Sequence, residues 1–542
     1  MQQPGYFRFL PEGISSSLYK GLKYSMVPGV GLNALAFMLF FLSMLFGPTQ
    51  LAYADGSREL HSGGTGYRAI LRSSNSASEN WPFANQGTHY VYAREGETIT
   101  MASSAQGGGS AVIRLFKPNG TQVTLTNPTT DGQIVDRDAE VAGPLKPGEA
   151  PNAGKYAPIE YEVLAGESGV YLVEFVARND SGEPSTSLLI SAGWNQTDHQ
   201  GNNRGIVAWD VSVYNPGADD FISGRVYTNV LNLSMGSGGT VQNTRFHGLF
   251  YVLTKSGYLY RVNNNGNNGM YFTFLANNKG VVDPTTQEAT YQSYNSSTRA
   301  NLLNLPSGPA RLHDPNAPDN ATDNHITHKL FYTDPDVTMP ATAAGGAGGS
   351  TWLYITPQKP EVVGLPTIIG VEGTTGQVSN KGGYVNFGSN LEGSSYSIII
   401  QSEHPDFTTR VLTGTAEQGQ NAVLWDGKDG EDKYMAPGSF PATVKVELQR
   451  GEVHFPYIDM EYNRDGIIIE LTNGPDGPGA LDRYDVYWDD RTIPGPTSAG
   501  PNNDAHDPDL PPHTAFVGAG VIPLNNTHLL TPGLGGNPDI PG

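Results

Sequence analysis

Short runs of alternating apolar and polar residues, each closed by glycine, proline, asparagine or aspartate, recur along most of the chain. Val112 to Phe116 (VIRLF) is followed by Lys117-Pro118-Asn119-Gly120 and then Gln122 to Leu125. Asn-Gly between two apolar runs predicts a hairpin. Tyr161 to Leu164 and Gly169 to Ala177 (GVYLVEFVA) read as two further strands. The second is apolar on both faces, as a central strand of a sandwich is. A second β region opens at Ile206. Within it, FYVLT, YLYRV and MYFTFLA are joined by Lys255-Ser256-Gly257 and the NNNGNNG run from Asn263 to Gly269, the pattern of an antiparallel meander. Its tyrosines and phenylalanines recur at period two, which suits a pleated, half-buried surface. Core packing is their expected role, and a sugar-stacking platform is the functional alternative.

Farther along, YSIIIQ (Tyr396 to Gln401) and ATVKVEL (Ala442 to Leu448) bracket a loop rich in Asp and Gly. No helical period longer than two turns is found after the N-terminus. The predicted fold is all-β: several antiparallel β-sandwich domains, Ig-like or jelly-roll-like, in tandem. Their expected extents are 55–200, 201–340 and 360–450, with a short β region at 451–490. Ala341 to Thr351 (ATAAGGAGGST) has almost no side chain to pack and predicts a flexible linker over 341–359. From Arg491 onward, ten Pro and eight Gly among 52 residues predict an irregular tail.

The N-terminus changes the picture from fold to compartment. Arg8, Lys20 and Lys23 precede an apolar run from Leu32 to Phe46, and Ala52-Tyr53-Ala54 supplies a small-x-small site. Basic region, short apolar core and A-x-A together predict a cleavable signal peptide over 1–54, because the run is shorter than the ~20 residues a membrane span needs. Processing then starts the mature chain at Asp55, leaving no membrane span. The expected location is secreted or cell-surface, on the extracellular side of a bacterial outer membrane.

The remaining chain holds 29 Lys and Arg against 52 Asp and Glu. Such acidity repels nucleic acid and anionic lipid and excludes nucleic acid as an expected partner. There is no cysteine, so thiol nucleophiles, zinc-thiolate sites and iron–sulfur clusters are excluded.

The most specific stretch runs Val423-Leu424-Trp425-Asp426-Gly427-Lys428-Asp429-Gly430 through Glu431, Asp432 and Tyr434 to Ala436-Pro437-Gly438-Ser439-Phe440. Physically, Trp425 ends a strand and offers a large ring to bury. Asp426 and Asp429 can accept backbone N–H bonds inside the turn, while the glycines take positive φ. Calcium bound by Asp426, Asp429, Glu431 and Asp432 is the functional alternative, against the missing D-x-D-x-D-G spacing. The stretch resembles the Ig-like module of flagellar hook-capping proteins, whose pattern runs W-D-G-x-D, then P-G and a strand. Related modules occur in large secreted and cell-surface proteins of the Bacteroidota. GEVHFPYIDMEYN and FTFLANNKG are similar to N-terminal portions of such proteins. The C-terminal sorting domain of those proteins is not found in this sequence, so the resemblance implies either an N-terminal portion of a larger surface protein or a different export route.

A second acidic cluster spans His313 to His328. Loop carboxylates of Asp314, Asp319 and Asp323 are candidate calcium ligands, set against a solvated turn that satisfies its own backbone. His325 and His328 are three apart in a strand-like run and point to opposite faces, which disfavours a shared transition metal. No G-x-S-x-G, H-E-x-x-H or Walker-type loop is present. No catalytic residue and no certain cofactor are assigned. The expected function is a non-enzymatic structural or adhesive scaffold that contacts an extracellular surface, a glycan or other surface proteins. The rival is a polysaccharide-binding or polysaccharide-degrading protein with accessory β-domains. A third reading is a secreted peptidase whose catalytic unit lies downstream. Aromatics exposed in one line would favour the rival, and buried aromatics the scaffold.

Overall fold

The computed structural model describes residues 55–62, 66–73, 87–107, 111–151, 154–177, 188–194, 205–235, 245–267, 271–278, 281–282, 289–290, 326–345, 349–371, 373, 375–434, 440–449, 453–455, 457–458, 467–474, 486–489, 519–522 and 527–528. The chain is all-β and multi-domain. Strands fall into several separate antiparallel sheets, with two short helices among the described residues, Ser57–Leu60 and Arg137–Ala142.

The expected strands at 161–164 and 169–177 are present as Ile159–Glu162 and Gly169–Val176. The turn at Lys117 to Gly120 also forms, with Gly120 at φ 83°. Past that turn only a single bridge joins Phe116 to Gln122. The continuous ladder of Val112–Phe116 runs instead along Gly169–Val176, whose buried faces bring more apolar surface to the pairing.

The boundary expected at 200/201 does not divide the sheets. Trp209–Asn215 pairs with Thr98–Ser103, and Val226–Thr228 pairs with Thr88–Ala93. Residues from Leu60 to Ile467 share one apolar core, including Val91, Trp209, Phe250 and Phe274. The reason is visible in the strands themselves: Thr98–Ser103 is buried at every position, so it needs cover on both faces that neighbouring sequence alone does not provide. The same rule splits the predicted meander. Leu249–Leu253 pairs with Leu259–Asn263, as expected. Tyr271–Leu275 leaves them and pairs with Val230–Ser234, with Phe272, Thr273, Phe274 and Leu275 all buried. Ile467–Leu471 returns from the 451–490 region to extend the nine-stranded sheet beside Leu259–Asn263.

The 341–359 segment is more than a linker. Thr342–Ala344 and Ser350–Trp352 form a hairpin, and Trp352 and Leu353 are buried against a cluster that includes Tyr227 and Phe331. The small residues make a tight ribbon, and the Trp-Leu pair that follows anchors it. Beyond Arg491, two strands are described within the segment expected to be irregular: Ala519–Ile522 pairs with Val486–Asp489, and Thr527–His528 with Ile467–Leu471.

The described residues within 360–449 form a sandwich of two three-stranded sheets. Val362–Gly370, Gly383–Ser389 and Gly419–Trp425 make one; Arg410–Ala416, Ser394–Ser402 and Ala442–Gln449 make the other. Val385, Phe387, Ile398, Ile400, Ala416 and Trp425 fill the space between them. In the edge strand, the register shifts between Val363 and Thr367, and Leu365 stands 91% exposed beside Pro366. Bulges and prolines at such positions discourage pairing with a second chain.

The described chain begins, at Asp55–Gly56, in a place with no spare room. Asp55–Gly56 pairs with Trp209–Asn215, and a Cβ on Gly56 would lie 2.2 Å from the Trp209 carbonyl oxygen. Gly56→Ala is therefore expected to lower stability by about 1–3 kcal/mol, the usual overpacking cost, measured by thermal or denaturant unfolding. An unchanged melt would mean that this strand is not held where it is described.

Candidate functional site

The densest chemistry in the described chain is a buried charge network where the first residues after position 54 enter the core. Glu140 sits at its centre on the Arg137–Ala142 helix, which starts because the Asp136 side chain accepts from the Ala139 N–H at 2.9 Å. Arg68 grips Glu140 with two nitrogens, Nη1 to Oε2 at 3.0 Å and Nη2 to Oε1 at 2.6 Å. Arg137 donates to the same carboxylate from one helical turn away, and Ser57 Oγ donates at 2.5 Å. Burial alone would raise Glu140, but the guanidiniums of Arg68 and Arg137 and the Ser57 hydroxyl outweigh it and hold the group at about 2. Arg68 also donates to the Val207 carbonyl at 2.9 Å and lies over the Trp194 ring.

Three other carboxyls here go the opposite way. Burial pushes Asp55 up to about 7, although the Thr333 hydroxyl and the Arg225 and Gly224 amides oppose it. Burial likewise pushes Glu59 up to about 8 against the pull of Arg58, and Asp210 up to about 7 against Tyr156, Arg58 and Ser212. His61 is held down to about 3 by burial and the nearby Arg68. Its Nδ1 donates to the Ser57 carbonyl at 2.6 Å, and its Nε2 accepts from the Ala69 N–H at 3.1 Å, so the neutral ring is used at both nitrogens.

Two further chains of polar contacts run through the same core. Trp209 Nε1 donates to Tyr332 Oη at 3.0 Å, Tyr332 Oη bonds His89 Nε2 at 2.6 Å, and His89 Nδ1 donates to the Gly87 carbonyl at 2.7 Å. Arg225 bonds Asp336 through Nε and Glu97 through Nη1 at 3.4 Å, with its guanidinium over the Tyr92 ring. Carboxyls that titrate near neutrality can serve as general acids or bases. Here each one is buried; the bonds of Asp55 and Asp210 join segments far apart in sequence, as a clamp does, while Glu59 pairs with the adjacent Arg58.

The Trp425 loop shows the same economy. Trp425 is 2% exposed, packs edge-on to Phe407, and donates from Nε1 to the Lys428 carbonyl at 2.7 Å. Asp429 accepts from the Glu431 and Lys433 amides at 2.9 Å and the Thr408 amide at 3.2 Å. Burial works against ionisation of Asp429, but those amides and the Lys433 charge hold it below the usual carboxylate range. Asp426 accepts from the Lys428 amide, Asp432 pairs with Arg410 at 3.0 Å, and Glu431 with Lys433 at 2.5 Å. All four acids therefore have nitrogen partners inside the protein. A small cavity of about 100 Å³ beside them is lined by His404, Asp406, Phe407, Tyr434 and Phe440 among others.

The candidate calcium ligands Asp314, Asp319 and Asp323, and His325, lie outside the described residues. His328 is described: it is buried, and burial pushes it down to about 3, so it is neutral. Among the described residues, no group of three or more His, Asp or Glu side chains is arranged to hold a metal ion.

Sequence reasoning did not find the charge network. Arg68 and Glu140 are 72 residues apart, and neither stands in a motif. The available signal was weak: Asp136 before a six-residue helical stretch, and a run of charged and polar residues directly after Ala54.

No protein-family model and no curated protein matches this chain. Among solved structures, a DUF4785 family protein from Legionella pneumophila aligns over 73% of this chain and 85% of its own length, at 9% identity and a TM-score of 0.13. That score carries no argument about fold or function. The likeness of residues 423–440 to hook-capping modules rests on those residues alone.

Proposed function

We propose that the chain is an exported structural or adhesive scaffold, whose β-domains act as spacers and contact surfaces outside the cell. The observation that carries this reading is the placement of its aromatics. Trp194, Trp209, Trp352 and Trp425 are all buried, and so are Phe250, Phe272 and Phe274 of the expected aromatic platform. These rings build cores; a sugar-stacking surface would present them to solvent. The buried ion pairs support the same reading, because they tie distant segments into a stiff body. No described helix is long and apolar enough to cross a membrane. In the producing organism, deleting the gene is expected to impair attachment to surfaces or matrix, and export of the unaltered chain to restore it. Unchanged attachment would reject the adhesive role.

Calcium remains part of the proposal through Asp314, Asp319 and Asp323. A ligand that binds only the folded state raises stability by RT ln(1 + [L]/Kd). Removing calcium with EDTA is expected to lower the melting temperature, and Asp319→Ala with Asp323→Ala to abolish that dependence. Identical melts in EDTA and in millimolar calcium would assign the loop to turn chemistry.

A further inference from the structure

With all four of its carboxyls ionised, the network around Asp55 is one positive charge short. Its carboxylates are Asp55, Glu59, Glu140 and Asp210, and its guanidiniums are Arg58, Arg68 and Arg137. Arg225 stands beside the network but is taken by Glu97 and Asp336. His61 spends both nitrogens on the backbone as a neutral ring. One oxygen of Glu59 is buried with no hydrogen-bond partner.

We propose that the missing cation is the α-ammonium of Asp55 itself, created by cleavage between Ala54 and Asp55, so that processing completes the charge balance of the folded core. This rests on the export reading above, but the pocket is argued from geometry. Asp55 is 1% exposed and held in place from three sides. Its carboxylate accepts from the Gly224 N–H at 2.9 Å, the Arg225 N–H at 3.2 Å and the Thr333 hydroxyl at 2.6 Å, and its backbone pairs opposite Val211. The α-nitrogen is three covalent bonds from the carboxyl carbon, so a charge there arises within about 4 Å of the Asp55 carboxylate. In the uncleaved chain that nitrogen is a neutral amide.

The cleavage position matters on this account. Cutting one residue later removes the acceptor for the Gly224 and Arg225 amides and the Thr333 hydroxyl. Cutting one residue earlier moves the ammonium by the ~3.8 Å between successive Cα atoms.

The pH signature follows from the groups that face Asp55 and its two raised neighbours: Thr333, Asp210 and the Arg225 and Gly224 amides at Asp55, Arg58 at Glu59, and Tyr156, Arg58, Ser212 and Glu140 at Asp210. With a neutral amide at residue 55, Asp55, Glu59 and Asp210 hold protons in the folded state up to about 7, 8 and 7. Carboxyls raised in this way bind more protons folded than unfolded, so stability falls as pH rises from about 4 to about 8. An adjacent ammonium favours the ionised carboxylates and shallows that fall. Its benefit disappears once the amine itself loses its proton at high pH.

The test compares three forms of residues 55–542: one beginning with free Asp55, one with Asp55 α-N-acetylated, and one retaining Ala54 ahead of it. At pH 7 the free form is expected to melt at least about 2 °C above the acetylated form. The gap should narrow toward pH 5 and above pH 10, and the Ala54 form should fall between the two. Asp55→Asn, which removes the surplus carboxylate, should shrink the gap between free and acetylated chains. Coincident melts of free and acetylated chains at pH 7 would overturn the proposal, as would a gap that does not change with pH. N-terminal sequencing of exported protein tests the export reading separately: a chain still carrying residues before Leu51 rejects that reading and with it the role of cleavage, whereas the melting comparison judges the pocket by itself.

Discussion

Replacing Arg68 with alanine is expected to destabilise the protein by about 3–5 kcal/mol, because Glu140 would be left charged and buried without its main partner. The loss follows from what remains behind. Glu140 keeps Arg137 and Ser57, but the bidentate contact at 2.6 and 3.0 Å is gone, together with the link to Val207. Arg68→Met combined with Glu140→Leu is expected to recover most of the loss, since apolar groups of similar volume carry no desolvation cost. The pH dependence has a definite sign. A carboxyl depressed to about 2 contributes stability above its unfolded value near 4.3, and that contribution is lost as pH falls toward 2. Arg68→Ala should therefore be most damaging at neutral pH and less so near pH 3. Denaturant unfolding at the two pH values measures this. An equal loss at both would show that packing against Trp194, not the ion pair, is what Arg68 supplies.

The second large effect belongs to Trp425. Deleting its ring in Trp425→Ala is expected to cost about 3–5 kcal/mol, the range for large aromatic truncations in cores. Its neighbour Leu424 is 54% exposed on the outer face of the same strand, so Leu424→Ala should change stability by less than about 0.5 kcal/mol. Asp429→Ala should fall between them, since three amides lose their acceptor. Hydrogen exchange over 383–425 in the full chain reads the difference by region. Trp425→Ala should lose protection throughout that sandwich while the core around Trp209 keeps its own. If Trp425→Ala and Leu424→Ala left protection alike, Trp425 would be a contact residue.

These two cases also mark how far sequence alone reaches. The Trp425 loop was legible because most of its parts are local: a strand end, an aspartate two to four residues from two of the three amides it caps, and glycines at the turns. Fold class was legible for the same reason, since alternation and turn residues act over five to ten positions. Pairing was not. Trp209–Asn215 finds Thr98–Ser103 across more than a hundred residues, and nothing in either strand names the other. Ala341 to Thr351 shows a subtler limit. Its composition speaks for a linker, yet Trp352 just beyond it fixes the hairpin, because one buried ring outweighs many small residues. The charge network was hidden because each of its acids looks like an ordinary surface residue until tertiary contacts bury it.

The proposed scaffold binds surfaces without turning over what it binds. This is tested most directly by incubating purified residues 55–542 with polysaccharides, esters and casein, while measuring retention on immobilised matrix and polysaccharide in parallel. The account predicts saturable retention and no product formation on any substrate. Sustained turnover, lost on changing a single acidic residue, would contradict it.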